Sequence, residues 1–95
     1  MAGQQYIGTG RLGDAQDVSY TGTAGNSTAA PSGVIKVRVI VTTAAYVKIG
    51  KDAVAVSPGT YMAAGAGESF SITPGERVSA IQVASGGTLN VTWLV

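Results

Sequence analysis

Apolar and polar residues alternate along most of the chain after Gly33, and this period of two predicts β-strands. The strongest segment covers residues 34–43, where β-branched residues dominate and suit a pleated surface. The alternation separates two faces of this strand. One face carries the valines Val37, Val39 and Val41. The other face carries the cations Lys36 and Arg38.

Five further segments show the same alternation, and Gly or Pro separates each from the next. They are residues 46–49, 60–63, 68–73, 77–84 and 88–95. Their apolar positions predict an inward face made of Val47, Ile49, Phe70, Ile72, Leu89, Val91, Trp93 and Val95. Ile81 and Val83 share one face of their strand. Trp93 is predicted to anchor the core, and an interface role is the alternative.

Turn signals support the same division into strands. Pro74 and Gly75 occupy the second and third positions of a predicted type II turn. Ser85, Gly86 and Gly87 indicate a tight hairpin. No segment keeps helical periodicity over two turns. Short strands with regular turn signals predict an all-β protein, an antiparallel β-sandwich that is jelly-roll-like.

Composition changes near Gly33 and predicts two parts of one domain. Residues 1–33 contain few large apolar residues and are interpreted as an extended N-terminal arm and loop with one short strand, near residues 17–21. Residues 24–32 are predicted to form a loop. Residues 34–95 hold nearly all of the Val and Ile and are predicted to form the β-sandwich core.

Charge is scarce, because charged residues make up 12% of the chain against about 25% in typical domains. A surface of Thr, Ser, Gly, Ala, Gln and Asn is cheap to desolvate, which favours a structural protein that packs against other chains. Six basic and five acidic residues give a net charge of +1, so nucleic acid is not an expected partner. No basic start leads into an apolar run, and no apolar run approaches membrane-spanning length, so we expect a soluble protein without a membrane partner.

The sequence offers few residues for catalysis or metal binding, because the chain has no cysteine and no histidine. Imidazole and thiolate metal sites are excluded, and no histidine activates a serine, so neither enzymatic activity nor a cofactor is expected. Asp14 and Asp17 lie close together in a Gly-rich segment. Two acids are fewer than calcium sites usually use, so solvated carboxylates are favoured and a weak calcium site remains the alternative.

Two groups of residues are candidate interfaces. The Gly-rich arm offers its apolar residues little surface to pack on, so they either fold back on the sandwich or dock on a neighbouring chain. The predicted arm interface consists of Tyr6, Ile7, Arg11 and Leu12. The second group is a small patch on an outer sheet face, or else an ordinary solvated face: Lys36, Arg38, Tyr46 and Lys48.

Residues 34–94 resemble small virion proteins of tailed bacteriophages. The runs that carry the resemblance are VRV at 37–39, YVKIG at 46–50, YMAAG at 61–65, ESFSITPGERVSAIQ at 68–82 and GGTLNVT at 86–92. The most specific part is PGERVSAIQ together with GGTLNVT. The arm, residues 1–33, lies outside the resemblance.

The resemblance implies a capsid cement or decoration protein with a β-sandwich or jelly-roll fold. Its expected partners are the major capsid protein and further copies of itself, as a homo-trimer or homo-dimer. Its expected location is the exterior of the capsid in the virion, after synthesis in the host cytoplasm. The alternative is a minor neck, tail or fibre-tip module that binds a receptor or glycan. Clustered aromatics would favour that alternative, and the four Tyr, one Phe and one Trp are scattered along the sequence.

Overall fold

A computed structural model of the chain describes residues 11–95, and every helix or strand in this range is a β-strand. The eight strands are β1 Leu12–Tyr20, β2 Gly25–Asn26, β3 Lys36–Val41, β4 Ala45–Gly50, β5 Thr60–Met62, β6 Glu68–Ser71, β7 Arg77–Gln82 and β8 Gly87–Leu94. Six of them match the segments that alternation predicts after Gly33, with ends that differ by a few residues.

The strands form two antiparallel sheets of four strands each. The first sheet has the order β1, β8, β3, β6, and the second has the order β2, β7, β4, β5. The chain therefore pairs from its two ends inward, β1 with β8, β2 with β7, β3 with β6 and β4 with β5. This nested pairing, rolled into two sheets, is a jelly roll, and the predicted all-β antiparallel sandwich is confirmed.

The core lies between the sheets and uses the predicted inward faces. Side chains of β3 and β8 fill its centre, and Val37, Val39, Val41, Leu89 and Val91 are each fully buried. Trp93 is 5% exposed and belongs to the same cluster, so its predicted place in the core is confirmed. The prediction for Val95 is wrong, because this residue follows the end of β8 and is exposed. From β7 the inward residues are Val78 and Ala80.

The region before Gly33 differs from the predicted arm where the structure describes it. In place of one short strand, β1 runs for nine residues and pairs with β8 from Leu12 to Tyr20. Tyr20 is 1% exposed, and its hydroxyl donates to the carbonyl oxygen of Thr43 at 2.6 Å. The alternation in β1 is weak because two of its less exposed positions are Gly13 and Gln16, so only Val18 and Tyr20 mark the inward face with large apolar residues.

Residues 24–32 were predicted to form a loop, and the structure instead bonds them to β7. β2 lies in this segment, and beyond it the N–H of Ser27 donates to the Val78 carbonyl at 2.8 Å. The N–H of Ala30 donates to the Glu76 carbonyl, also at 2.8 Å. Backbone groups make these bonds, so no hydrophobic period marks them in the sequence.

One predicted turn is confirmed and one is wrong. Gly75 has φ of +95°, and the N–H of Glu76 donates to the Thr73 carbonyl at 3.0 Å, as a type II turn requires. Residues 85–87 do not close a hairpin, because β7 lies in the second sheet and β8 in the first. In this jelly roll most consecutive strands change sheets, and a link between sheets uses the same Gly-rich chemistry as a hairpin.

Candidate functional site

The predicted outer-face patch is divided between the two sheets. Lys36 and Arg38 lie on β3, in the first sheet, at positions that alternate with the buried valines and therefore face outward. Tyr46 and Lys48 occupy the outward positions of β4, in the second sheet. Because the sheets pack face to face, their outer faces point in opposite directions. The four residues thus do not form one surface.

Two of the four residues of the predicted arm interface, Arg11 and Leu12, lie in the described range, just before β1 and at its beginning. Arg11 exchanges two backbone hydrogen bonds with Val95, each of 2.8 Å. Leu12 pairs with Leu94, and its side chain is 72% exposed. Tyr6 and Ile7 lie outside the described residues. Arg11 and Leu12 are therefore part of the first sheet's edge.

The outer face of the first sheet is polar and is called here the polar face. The Asn90 side-chain amide donates to a carboxylate oxygen of Asp17 at 2.9 Å, and the Thr92 hydroxyl donates to the Asn90 amide oxygen at 3.2 Å. Arg38 lies against Gly67, where a Cβ would be 3.1 Å from a guanidinium nitrogen. Asp14 and Asp17 both lie in β1, and within residues 11–95 no group of three acidic side chains converges on a possible metal position.

The outer face of the second sheet is partly covered by a strap, residues 51–59, which connects β4 to β5. Ala53 and Ala55 of the strap are each 3% exposed. The N–H of Ala55 donates to the hydroxyl oxygen of Ser79 at 2.8 Å, and that hydroxyl donates to the Asn26 side chain at 2.6 Å. Ser79 faces outward from β7 yet is completely buried, so the strap seals this part of the sheet.

Apolar side chains accumulate on the outside of this second sheet. Tyr46 lies opposite both Tyr61 and Ile81, and the two tyrosine rings meet edge to face with centroids 6.3 Å apart. Val83 follows Ile81 on the same face, since its N–H reaches the Ala44 carbonyl at 3.3 Å. The tyrosine face is defined as these residues with the exposed strap valines: Tyr46, Val54, Val56, Tyr61, Ile81 and Val83.

More than half of the large hydrophobic residues that are exposed in the described part of the chain lie on the tyrosine face. The large hydrophobic residues exposed in residues 11–95 number seven, and four of them belong to this face: Val54 at 53%, Val56 at 55%, Tyr61 at 59% and Val83 at 40%. The strap lies against the sheet at Gly59, where a Cβ would be 3.3 Å from the Cβ of Tyr46 on β4. Sequence alternation placed Ile81 and Val83 together but gave no sign that their face is the outer one.

A groove opens beside the tyrosine face, between the edge strands β5 and β6. It has a volume of about 370 Å³ and is called the β5–β6 groove. Its lining residues are Val47, Lys48, Ile49, Thr60, Tyr61, Met62, Glu68 and Phe70. The volume lies within the range of small-molecule pockets, and apolar walls with a few polar groups are typical of binding sites. Tyr61 and Phe70, which belong to different sheets, thus share one cavity.

Comparison with protein-family models, with curated proteins and with solved structures finds no match for this chain. Residues 11–95 include no helix of the length and hydrophobicity needed to cross a membrane. The tyrosine face and the β5–β6 groove are the candidate functional surfaces within residues 11–95.

Proposed function

We propose that this chain is a structural virion protein, a cement or decoration protein that binds a bacteriophage capsid shell from outside and stabilises it. The observation that carries the proposal is the tyrosine face. Contiguous exposed apolar surface is uncommon on soluble domains and marks interaction sites. Tyrosine is enriched where protein interfaces gain most of their binding energy.

The sequence resemblance to small phage virion proteins supports the same role. The jelly roll adds a weaker argument, since it recurs in viral capsid proteins and in lectins, and this is an analogy at the level of the fold. The proposed partner of the tyrosine face is the major capsid protein. The proposed location is the capsid exterior.

The surface chemistry suits many repeated contacts of modest individual strength. Removing water from the apolar side chains of the tyrosine face costs little free energy. Lys48 is the one cation on the described β4 strand, so this strand adds a single charge to be desolvated. On a shell, several linked copies bind together, and avidity then raises the overall affinity above that of a single contact. A catalytic role is not part of the proposal, because neither histidine nor cysteine occurs in the sequence to activate a nucleophile.

The experiment that tests this proposal places a charge on the tyrosine face. Val56→Asp and Tyr61→Asp bury an unpaired carboxylate if this face docks on the shell, and each is expected to lower the affinity for stripped shells by at least about tenfold. Ser19→Asp is the matched control, because it adds the same charge to an exposed position of β1 in the opposite sheet. Binding is measured by co-sedimentation with shells. Equal losses in all three variants, or none, would count against the tyrosine face.

The β5–β6 groove supports one alternative, a minor neck, tail or fibre-tip module that binds a receptor or glycan. Tyr61 offers a partly exposed ring at the groove, and Lys48 and Glu68 offer charged hydrogen-bonding groups. Glycan-array binding by the isolated domain, abolished by Tyr61→Ala, would favour this alternative. Quantifying copies per virion separates the two functions, since a cement protein is expected in numbers comparable to the capsid subunits.

A further inference from the structure

We propose that the free edge of β6 binds the N-terminal segment of a second copy of this chain, residues 4–9, as an added antiparallel or parallel strand. In this contact the adjacent apolar side chains of Tyr6 and Ile7 enter two cavities on opposite sides of β6. The inference is independent of the proposed function, because it concerns contacts between copies in solution.

The first observation is the unpaired edge of β6. In the described part of the chain, β6 is the outermost strand of the first sheet and pairs with β3 alone. The N–H of Ile72 donates to the Ile35 carbonyl at 3.0 Å, toward β3. Successive N–H groups along a strand point to opposite sides. The N–H groups of Ser69 and Ser71 therefore point away from β3, toward an added strand.

The second observation is a cavity on each face of this edge. The β5–β6 groove lies on the inner side, where Glu68 and Phe70 contribute to its wall. A second cavity of about 170 Å³ is lined by Lys36, Ser69, Phe70 and Ser71. Strand addition uses this arrangement, because backbone hydrogen bonds supply affinity and cavities for alternate side chains supply specificity.

The N-terminal segment matches the two cavities. Tyr6 and Ile7 are neighbouring apolar residues among Gly, Gln and Thr. Adjacent side chains of a strand point to opposite faces, so one enters the groove while the other enters the smaller cavity. We assign Tyr6 to the larger cavity, beside Tyr61 and Phe70, and Ile7 to the smaller one.

Chain length determines which copy supplies the segment. Arg11 is fixed to β8 by its hydrogen bonds with Val95, at the edge of the first sheet opposite β6. A strand added outside β6 lies four strand spacings from β1, about 19 Å. Ile7 precedes Arg11 by four residues and reaches about 14 Å at full extension, and Tyr6 reaches about 18 Å. A chain therefore cannot fill its own site, and the segment comes from a second copy.

This contact joins two different surfaces, so it is heterologous and closes into a ring or continues as a filament. A closed ring of three copies or of two would correspond to the homo-trimer or homo-dimer expected from the sequence. Full-length protein is therefore expected to self-associate in sedimentation velocity. Tyr6→Ser with Ile7→Ser is expected to weaken the association by at least about tenfold. Gln4→Ser with Gln5→Ser, which changes the same segment without removing apolar groups, is expected to leave it unchanged.

A variant of the acceptor edge completes the test. Ser69→Pro removes an outward N–H while leaving the bonds to β3, and Ser69→Ala is its control. Each defective variant alone is expected to be monomeric. A mixture of the Tyr6→Ser, Ile7→Ser variant with Ser69→Pro is expected to form dimers, since one intact segment meets one intact edge.

If the circular dichroism spectrum of Ser69→Pro shows a loss of β-sheet, the double variant Ser69→Lys, Ser71→Lys is used as the acceptor-edge variant in its place. Its two lysine side chains obstruct the smaller cavity. The proposal is overturned if full-length protein stays monomeric at its highest soluble concentration. It is also overturned if the Tyr6→Ser, Ile7→Ser variant associates like the unmodified chain, or if the mixture forms no dimers.

Discussion

The two long sides of the sandwich are built differently. On the side of β1 and β2 the sheets are closed against each other. A Cβ at Gly25 would collide with the carbonyl oxygen of Ser19, and Gln16 bonds to Thr28 through both its amide oxygen and its amide nitrogen, at 3.0 and 2.8 Å. On the side of β5 and β6 a groove of about 370 Å³ separates the sheets.

The difference shows how strand length and residue size decide whether a sandwich side is sealed. The closed side has a strand of nine residues and a glycine at the closest approach. The open side has strands of three and four residues, and Phe70 there is only partly buried. Hydrogen bonds of the Gln16 side chain help hold the first side, whereas the second leaves a sheet edge and apolar walls available to a partner.

The largest effect is expected from a methyl group at the closest approach of the closed side. Gly25→Ala forces a Cβ into the Ser19 carbonyl, and the strands must separate, which is expected to cost about 3 kcal/mol in the free energy of unfolding. Gly22→Ala is the control, because its nearest neighbour would be 3.7 Å away, at ordinary van der Waals distance. Urea unfolding measures both. Similar midpoints for the two variants would show that the closed side tolerates separation.

A smaller loss is expected from removing a buried hydroxyl on the same side. Ser27 is 1% exposed, and its oxygen accepts a hydrogen bond from the Val78 N–H at 2.9 Å while donating to the Thr28 carbonyl at 2.8 Å. Ser27→Ala leaves the Val78 N–H buried without this partner, at an expected cost of about 2 kcal/mol. Ser71→Ala, at an exposed position of the open side, is expected to change stability by less than about 0.5 kcal/mol. Equal losses of stability in Ser27→Ala and Ser71→Ala would show that the closed side depends no more on its hydrogen bonds than the open side does.

Much of the open side was predictable from sequence, and the closed side was not. Alternation of large apolar residues located β3 to β8 and the inward faces of β3, β4, β6 and β8, because these strands are held by burial. β1 and β2 are held largely by hydrogen bonds to β8 and β7, with small or polar residues such as Gly25, Ser27 and Gln16 at the contacts. Hydrogen bonds of this kind impose no period on a sequence, so the prediction placed only a short strand near residues 17–21, which covers part of β1, and missed β2.

The candidate surfaces were predicted only in part. The sequence identified the outward residues Lys36, Arg38, Tyr46 and Lys48 but combined them in one patch, because alternation does not tell which sheet a strand joins. The tyrosine face depends on the strap, whose Ala53 and Ala55 face the sheet while Val54 and Val56 face solvent. In the sequence this segment is four small apolar residues between two turns. Which of them face solvent is decided by its packing against β7, which the sequence pattern does not show.

A smaller change in stability than that of Ser27→Ala is expected at the mouth of the groove. The Tyr61 side chain is 59% exposed and has one aromatic neighbour, Tyr46, so Tyr61→Ala is expected to lower the free energy of unfolding by less than about 1 kcal/mol. Shell binding is expected to fall at least about tenfold in the same variant, since truncation removes a large side chain from the proposed interface. Urea unfolding and co-sedimentation measure the two quantities. A stability loss as large as that of Gly25→Ala would mean that Tyr61 supports the fold, and the open side would then owe its exposed ring to packing and not to a partner.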